Sequence, residues 1–389
     1  MASLVGVFSD IHIHPFAYKA RPVSPYGLNS RLVQGVDTLK SVITDLQDMG
    51  CDHIVFGGDL FHSRKQVDVA ALWLVYDAIK QTKHLDTNLY LNVGNHDQYD
   101  KAGYINSLKY LESIPGVYVF DGLSDQYRGA SVPIVDEGTS LGDIVLFPYR
   151  QEQLAVAEAV NSHYSRPYPG TGKHRVAILH VGLDMVKPMN AETEQRIPST
   201  VGINDFDLTQ WDLILSGHYH FTSSPAPNFL YIGAPTQHNW SDKNRHNQIA
   251  MFDMKDPYHT FRWHFFYKGS SFVEVTVEDV LDTLVCANKI NDHRSKHMFF
   301  KLLADKGDSR VEVAIGRINE LVDAAGGMLI EGIEVSSSGE ALADEEAAVT
   351  YSMSMGEVIG SYVESSVVDD EQKSVLLDVG RKLLADETS

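Results

Sequence analysis

The chain has 389 residues, 43% apolar, 10% aromatic and 22% charged, a length and composition that suit a large folded core and exclude a disordered or fibrous protein. Two cysteines, Cys51 and Cys286, lie far apart without zinc or redox spacing, which excludes a disulfide framework and fits a reducing cytoplasm. A formal net charge of -20 argues against capture of a nucleic-acid backbone by this chain's overall field, although residues 331–389 hold 14 acidic against 3 basic residues and so carry more than half of that charge.

The N-terminal stretch MASLVGVFSD has no basic region and its apolar run ends in an acid, so it reads as a first strand, Leu4–Phe8, and not as a leader. Val36, Leu39, Val42, Ile43 and Leu46 recur at spacings of three and four and predict a helix, and a second is expected over Val69–Ile79. Ile54–Phe56, Leu89–Val93, Val176–Leu179 and Leu213–Leu215 read as further buried strands. Alternation of short apolar runs with helical segments predicts a layered α/β domain over residues 1–255. Residues 256–336 are expected to form a small α/β cap, with the aromatic run Phe261–Tyr267 as its core strand, followed by strand, helix and strand. An acidic linker is expected at 337–350 and a helical segment at 351–389, with Met355, Ile359, Tyr362 and Val363 on one amphipathic helix and Val375, Leu376, Val379 and Leu383 on another. These helices either pack on the cap or offer an apolar face to a partner. No uncharged apolar run reaches the roughly 18 residues of a membrane span, so a soluble chain with no membrane partner is expected.

Each of the five strands ends in side chains able to bind metal: FSDIHIH, FGGDLFH, NVGNHD, ILHVG and LSGHYH. The carboxyl ends of strands are where sites assemble in open α/β sheets. Asp10 and His12 are two apart, which on an extended segment points both to one side, and His218 and His220 repeat that spacing. Glycines at 57, 58, 94, 182 and 217 let the backbone come close to an ion. A mixture of imidazole, carboxylate and amide donors suits Mn²⁺, Fe²⁺ or Zn²⁺ better than an all-oxygen magnesium site. One ion does not need seven ligands. His14, His246, His259, His264, His293 and His297 lie outside these motifs and are read as surface or satisfied core residues.

Taken in order, D-x-H, G-D-x-x-H, G-N-H-D, H-x-G and G-H-x-H resemble the calcineurin-like metallophosphoesterases over roughly the first 220 residues. GDLFH, with His62, resembles the SbcD-type nucleases of DNA double-strand-break repair, and the Asp-Arg-Gly continuation of the protein phosphatases is absent. FPYR at 147–150 and YIGAPTQHNWSD at 231–242 resemble further segments of that family, the second placing His238 and Trp240 on a loop beside the centre. Length and acidic tail look most like the phage recombination nuclease subunits, for which the compartment is the host cytoplasm. The resemblance implies two divalent ions, with Mn²⁺ expected and Mg²⁺, Fe²⁺ or Zn²⁺ as alternatives. Asp10, His12, Asp59 and His220 would hold the first; Asp59, Asn95, His180 and His218 the second, with Asp59 as bridge. It further implies His96 as general acid oriented by Asp97, His62 in contact with phosphate, a homodimer formed through helices at 68–112, and docking of the C-terminal helices on a coiled-coil ATPase of SbcC type.

Two functions stay open on these residues. One is a DNA exonuclease, with endonuclease activity alongside; the other is a phosphatase or cyclic-nucleotide phosphodiesterase for a small substrate, since fold does not fix function.

Overall fold

A computed structural model describes residues 3–100, 105–122, 129–164, 173–184, 201–243 and 245–337. The chain divides into two compact units, one of residues 1–303 with 308–335 and one of 304–307 with 336–389. The expected acidic linker from 338 onward and the two terminal helices lie outside the described residues.

Asn29 opens the first long helix, α1 (Ser30–Asp48), by accepting hydrogen bonds from the backbone N–H of Arg31 and Leu32, the role for which its side chain is favoured at a helix start. Val36, Leu39, Val42, Ile43 and Leu46 form the buried stripe of α1, each contributing at most roughly 1.5–3 kcal/mol by leaving water. Asp68 caps α2 (Val69–Thr82) in the same way. Both helices pack on the outer face of a six-stranded sheet ordered β14 (Arg262–Phe265), β13 (Gln248–Asp253), β1 (Leu4–Phe8), β4 (His53–Phe56), β5 (Asn88–Asn92) and β6 (Val117–Phe120). From β1 to β6 the pairings are parallel, whereas β13 and β14 are antiparallel.

A second six-stranded sheet runs β11 (Ser223–Ala226), β12 (Phe229–Tyr231), β10 (Leu213–Gly217), β9 (His174–His180), β8 (Thr139–Phe147) and β7 (Ala130–Asp136), with β12, β10, β9 and β8 parallel. Val5, Val7 and Val55 of the first sheet meet Ile144, Val176, Ile178, Leu213 and Leu215 of the second in the central core. Alternate residues face outward, where α3 (Gln153–Ser162) covers the second sheet with Val156 and Val160. The architecture is a four-layer helix, sheet, sheet, helix sandwich, within the layered α/β class that the alternation of apolar runs predicts. A short hairpin, β2 (Pro22–Val23) and β3 (Leu28–Asn29), and a three-stranded sheet of β15 (Ser270–Thr276), β16 (His297–Ala304) and β17 (Leu329–Ser337) complete the strands. Among the helices, α4 (Pro257–Thr260) precedes β14; α5 (Val277–Leu281), α6 (Thr283–Asp292) and α7 (Val311–Ala325) accompany the small sheet.

One expectation is corrected here. The aromatic run 261–267 is not the core strand of the cap: its Arg262–Phe265 pairs antiparallel with β13 and extends the first core sheet. Local alternation marks a strand, but the partner is set by long-range pairing that the alternation does not encode. Among the described residues, no helix is long and apolar enough to cross a membrane.

Candidate metal centre

Parallel pairing sends the carboxyl ends of β1, β4, β5, β9 and β10 to one edge of the sandwich, and the five motifs follow them. The first two loops are zipped together: Asp10 N–H donates to Gly58 O at 2.9 Å and His12 N–H to Asp59 O at 3.1 Å. Four ligand candidates, Asp10, His12, Asp59 and His218, have positive φ, at 56°, 49°, 64° and 90°. Such backbone costs of order 1–3 kcal/mol per residue and persists where the surroundings over-determine it. Asp10 and His12 are therefore brought to one side of Asp59 by a tight turn, not by the extended segment their spacing suggests. His218 and His220 face different clusters: the one turns to Asn95 and the other to His12.

Asp59 is the hub. Its Oδ2 lies 3.6 Å from His12 Nε2 on one side and 3.3 Å from His180 Nε2 on the other, while Oδ1 accepts from the His96 N–H at 2.7 Å. Gly94 has to be glycine, because a Cβ there would overlap the Asp59 carboxylate and backbone nitrogen. Around the first side of Asp59, His12 Nε2 is 3.1 Å from His220 Nε2 and 3.9 Å from Asp10 Oδ1. The donor atoms of Asp10, His12 and Asp59 all fall within 4.8 Å of one another. Around the second side, Asn95 is 2.9 Å from His180 Nε2 and 3.1 Å from His218 Nδ1. Lone-pair atoms facing one another at about 3 Å repel unless a proton or a cation lies between them. That spacing is also the edge of a coordination sphere with bonds of about 2.1 Å. The donor set therefore fits divalent cations in both clusters.

Outer contacts fix which nitrogen faces inward. His180 Nδ1 donates to Gly57 O at 2.8 Å, leaving Nε2 for the cluster. His220 Nδ1 is held by Asp242 Oδ1 at 3.0 Å. Asp242 also accepts from the His238 N–H at 3.0 Å and from Arg245 at 2.6 Å. Burial alone would raise the Asp242 carboxyl, but His220 and Arg245 hold it well below the usual carboxylate range. Burial lowers His180, yet Asp59 and Asp10 outweigh it and bring it up to about 9; the same anionic field that charges an imidazole draws a cation. Burial and the charge of His180 push His218 down to about 3, which keeps it in the neutral form that binds metal.

All seven expected ligands thus converge, and His62 and His96 lie beside them. Their rings stack at 5.3 Å and 19°, with His62 5.4 Å and His96 4.8 Å from the ring of His12. Burial, then His96, lowers His62 to about 4. The expected orienting role of Asp97 is corrected: its carboxylate accepts from the backbone N–H groups of Asp59, Leu60, Phe61 and Gly94 at 2.8–3.2 Å. Asp97 pins the Asp59 loop, and His96 is oriented by its own Nδ1 hydrogen bond to the His62 carbonyl at 2.5 Å. His238 is buried at the centre, with Nε2 3.0 Å from Asp10 O, whereas Trp240 packs edge-on against Phe272 at 5.1 Å. Sequence reasoning gave no role to Asp242, which ends the 231–242 segment, or to Tyr149. Tyr149 stacks on His218 at 6.4 Å and 23°, and it belongs to the FPYR segment singled out by resemblance.

The family profile of calcineurin-like phosphoesterases matches residues 3–221. A protein of Invertebrate iridescent virus 3, provisionally named phosphoesterase 078R, is 23% identical over 207 residues, 51% of this chain and 52% of that protein. The chain therefore spans about half the length of the curated relative it matches. A solved dimetal phosphatase from Danio rerio aligns at 10% identity with a TM-score of 0.35, covering 68% of this chain and 99% of that one. The profile match runs over more than half of the chain and ends one residue beyond His220, so that it encloses all seven converging ligands; the chain belongs to the calcineurin-like phosphoesterase family.

Proposed function

We propose that the chain is a two-metal phosphodiesterase that hydrolyses DNA, acting as the nuclease subunit of an SbcC/SbcD-type repair and recombination complex. The observation that carries the two-metal reading is Asp59 Oδ2, which lies between His12 Nε2 and His180 Nε2 with a separate donor cluster on each side. A carboxylate so placed offsets the repulsion between cations about 3.5–4 Å apart. Bound divalent ions, with Mn²⁺ the expected pair, would supply an activated water and neutralise charge at phosphorus.

The chain's own residues do the rest. Asp59, Asp10 and the imidazoles fix the donor geometry. In hydrolysis the water oxygen bonds to phosphorus, the bond to the leaving sugar oxygen breaks, and that oxygen needs a proton. His96 is assigned that proton, a reading supported by its Nδ1 bond to the His62 carbonyl, which leaves exchange with substrate to Nε2. His62, half-buried beside it, is assigned to the phosphate. The DNA reading is supported by the GDLFH motif and by the α/β element that follows the core. Val69 and Trp73, 80% and 63% exposed on α2, support a homodimer through that helix. The C-terminal segment is assigned to the coiled-coil ATPase, which would bring the basic surface that a chain of net charge -20 lacks.

That charge favours the second reading, hydrolysis of a small phosphoester. The test is the protein with Mn²⁺, given linear duplex DNA, single-stranded DNA and a chromogenic phosphomonoester, with Asp59→Asn as control. Metal-dependent DNA cleavage lost in the variant is the expected result. Turnover of the monoester alone overturns the nuclease reading in favour of the small-substrate one.

A further inference from the structure

Arg64 follows Asp59 by five residues, on the segment that joins β4 to α2. Its side chain is exposed, and it forms no ion pair with a carboxylate among the described residues. Even so, its guanidinium is turned inward to the centre: Nη2 lies 2.9 Å from one end of the Asn95 carboxamide. The other end of that carboxamide is 2.9 Å from His180 Nε2, 3.1 Å from His218 Nδ1 and 3.2 Å from Asp59 Oδ2. A carboxamide has one end that only donates and one that only accepts. With a cation held by Asp59, His180 and His218, the oxygen has to face inward, because only the oxygen can ligate. The amide N–H₂ then faces the guanidinium, and two donors meet at the rim with no acceptor between them.

An anionic oxygen seated there would satisfy both. Guanidinium matches phosphate oxygens in a planar fork and holds its charge at any working pH. Tyr149, stacked on His218, stands beside the same rim. We propose that Arg64 binds a non-bridging oxygen of the substrate phosphate, and of the phosphate released from it, sharing that oxygen with the Asn95 amide at the second cluster. This assignment rests on the two-metal phosphoesterase reading of the centre.

The test measures binding of inorganic phosphate by calorimetry to Mn²⁺-loaded wild type, Arg64→Met and Arg64→Lys, with metal content and thermal unfolding recorded for each. Loss of a charge-assisted hydrogen bond is expected to weaken phosphate roughly tenfold or more in Arg64→Met. Arg64→Lys should recover part of it, keeping the charge without the fork. Metal content and melting temperature should not change, since the side chain is exposed. The KM for a chromogenic phosphodiester should rise in parallel. Phosphate affinity in Arg64→Met within about twofold of wild type, the range expected of an uninvolved site, overturns the assignment. So does loss of an ion in that variant, which would make Arg64 a support for Asn95. A wild type that hydrolyses no ester, yet binds phosphate in an Arg64-dependent way, removes the hydrolase reading and leaves the phosphate site standing.

Discussion

Asp242 determines how His220 presents itself to the first cluster. Its carboxylate accepts a hydrogen bond from Nδ1 and so directs Nε2 toward His12. Asp242→Asn removes the charge and keeps most of the shape, and outer-sphere changes of this kind typically cost about 10–100-fold in metal affinity. Titration with Mn²⁺ should show one of two sites weakened by that factor; two unaffected sites would mean that Asp242 only holds its loop. His96→Ala separates chemistry from binding. It should retain both ions and lose about 10²–10⁴-fold in turnover, the usual worth of a positioned acid, and metal analysis showing an emptied centre would refute the role. His238 offers a test by pH. Burial lowers it to about 3, against about 6.5 in an unfolded chain. Between those values the unfolded state binds a proton that the folded state does not, so this residue's contribution is intact above pH 6.5 and falls as pH drops toward 3, by about 1.4 kcal/mol per pH unit where the difference is a full proton. His238→Gln should flatten the acid limb of a denaturant-unfolding series between pH 6.5 and 4. An unchanged slope would show that this imidazole is not the group that titrates.

At the scale of elements, two glycines give opposite expectations. A Cβ at Gly94 meets the Asp59 carboxylate and backbone, whereas at Gly316, inside α7, it meets nothing within 4 Å. Gly316→Ala should stabilise by about 0.5–1 kcal/mol through helix propensity and leave metal content alone. Gly94→Ala should destabilise by about 1–3 kcal/mol, as overpacking does, and lose metal with it; differential scanning calorimetry and metal analysis read both. The elements themselves were legible. Leu4–Phe8 and the stripe from Val36 to Leu46 carry their strand and helix in local periodicity, and the ligands stand out because five loops repeat metal-binding side chains behind apolar runs. What stayed illegible depends on residues far apart in the chain. Asp242 is 22 residues from His220 and Arg64 is 31 from Asn95; the 231–242 segment that ends in Asp242 resembles a family loop, but nothing local names His220 as its partner or links Arg64 to Asn95. The partner of the aromatic strand 262–265 is hidden for the same reason, and the positive φ at Asp10 and His12 brings the two side chains together by a different backbone path from the extended one their spacing suggests.

For the whole molecule, the proposed nuclease function raises the question of how a chain of net charge -20 would work on a polyanion. Every ligand, the Asp242 contact and Arg64 fall between residues 10 and 242, and the acidic residues beyond 337 lie in the other compact unit. The site is therefore separated along the sequence from a net -9 of that charge, while residues 1–337 keep the remaining -11. Ending the chain after Ser337 removes 12 acidic and 3 basic residues, a net -9. It should leave Mn²⁺-dependent hydrolysis of a chromogenic phosphodiester within about twofold of the full chain, the range for distant independent sites. Binding to a coiled-coil ATPase, assigned to that segment, should be lost in the same protein. Since a phosphate backbone is repelled by like charge and screened by salt, cleavage of duplex DNA at low ionic strength should rise when the acidic segment is gone. The gain should shrink as salt is added. If diester hydrolysis collapses instead, with the ions still bound, residues beyond 337 reach the centre and the division between catalysis and partner binding fails.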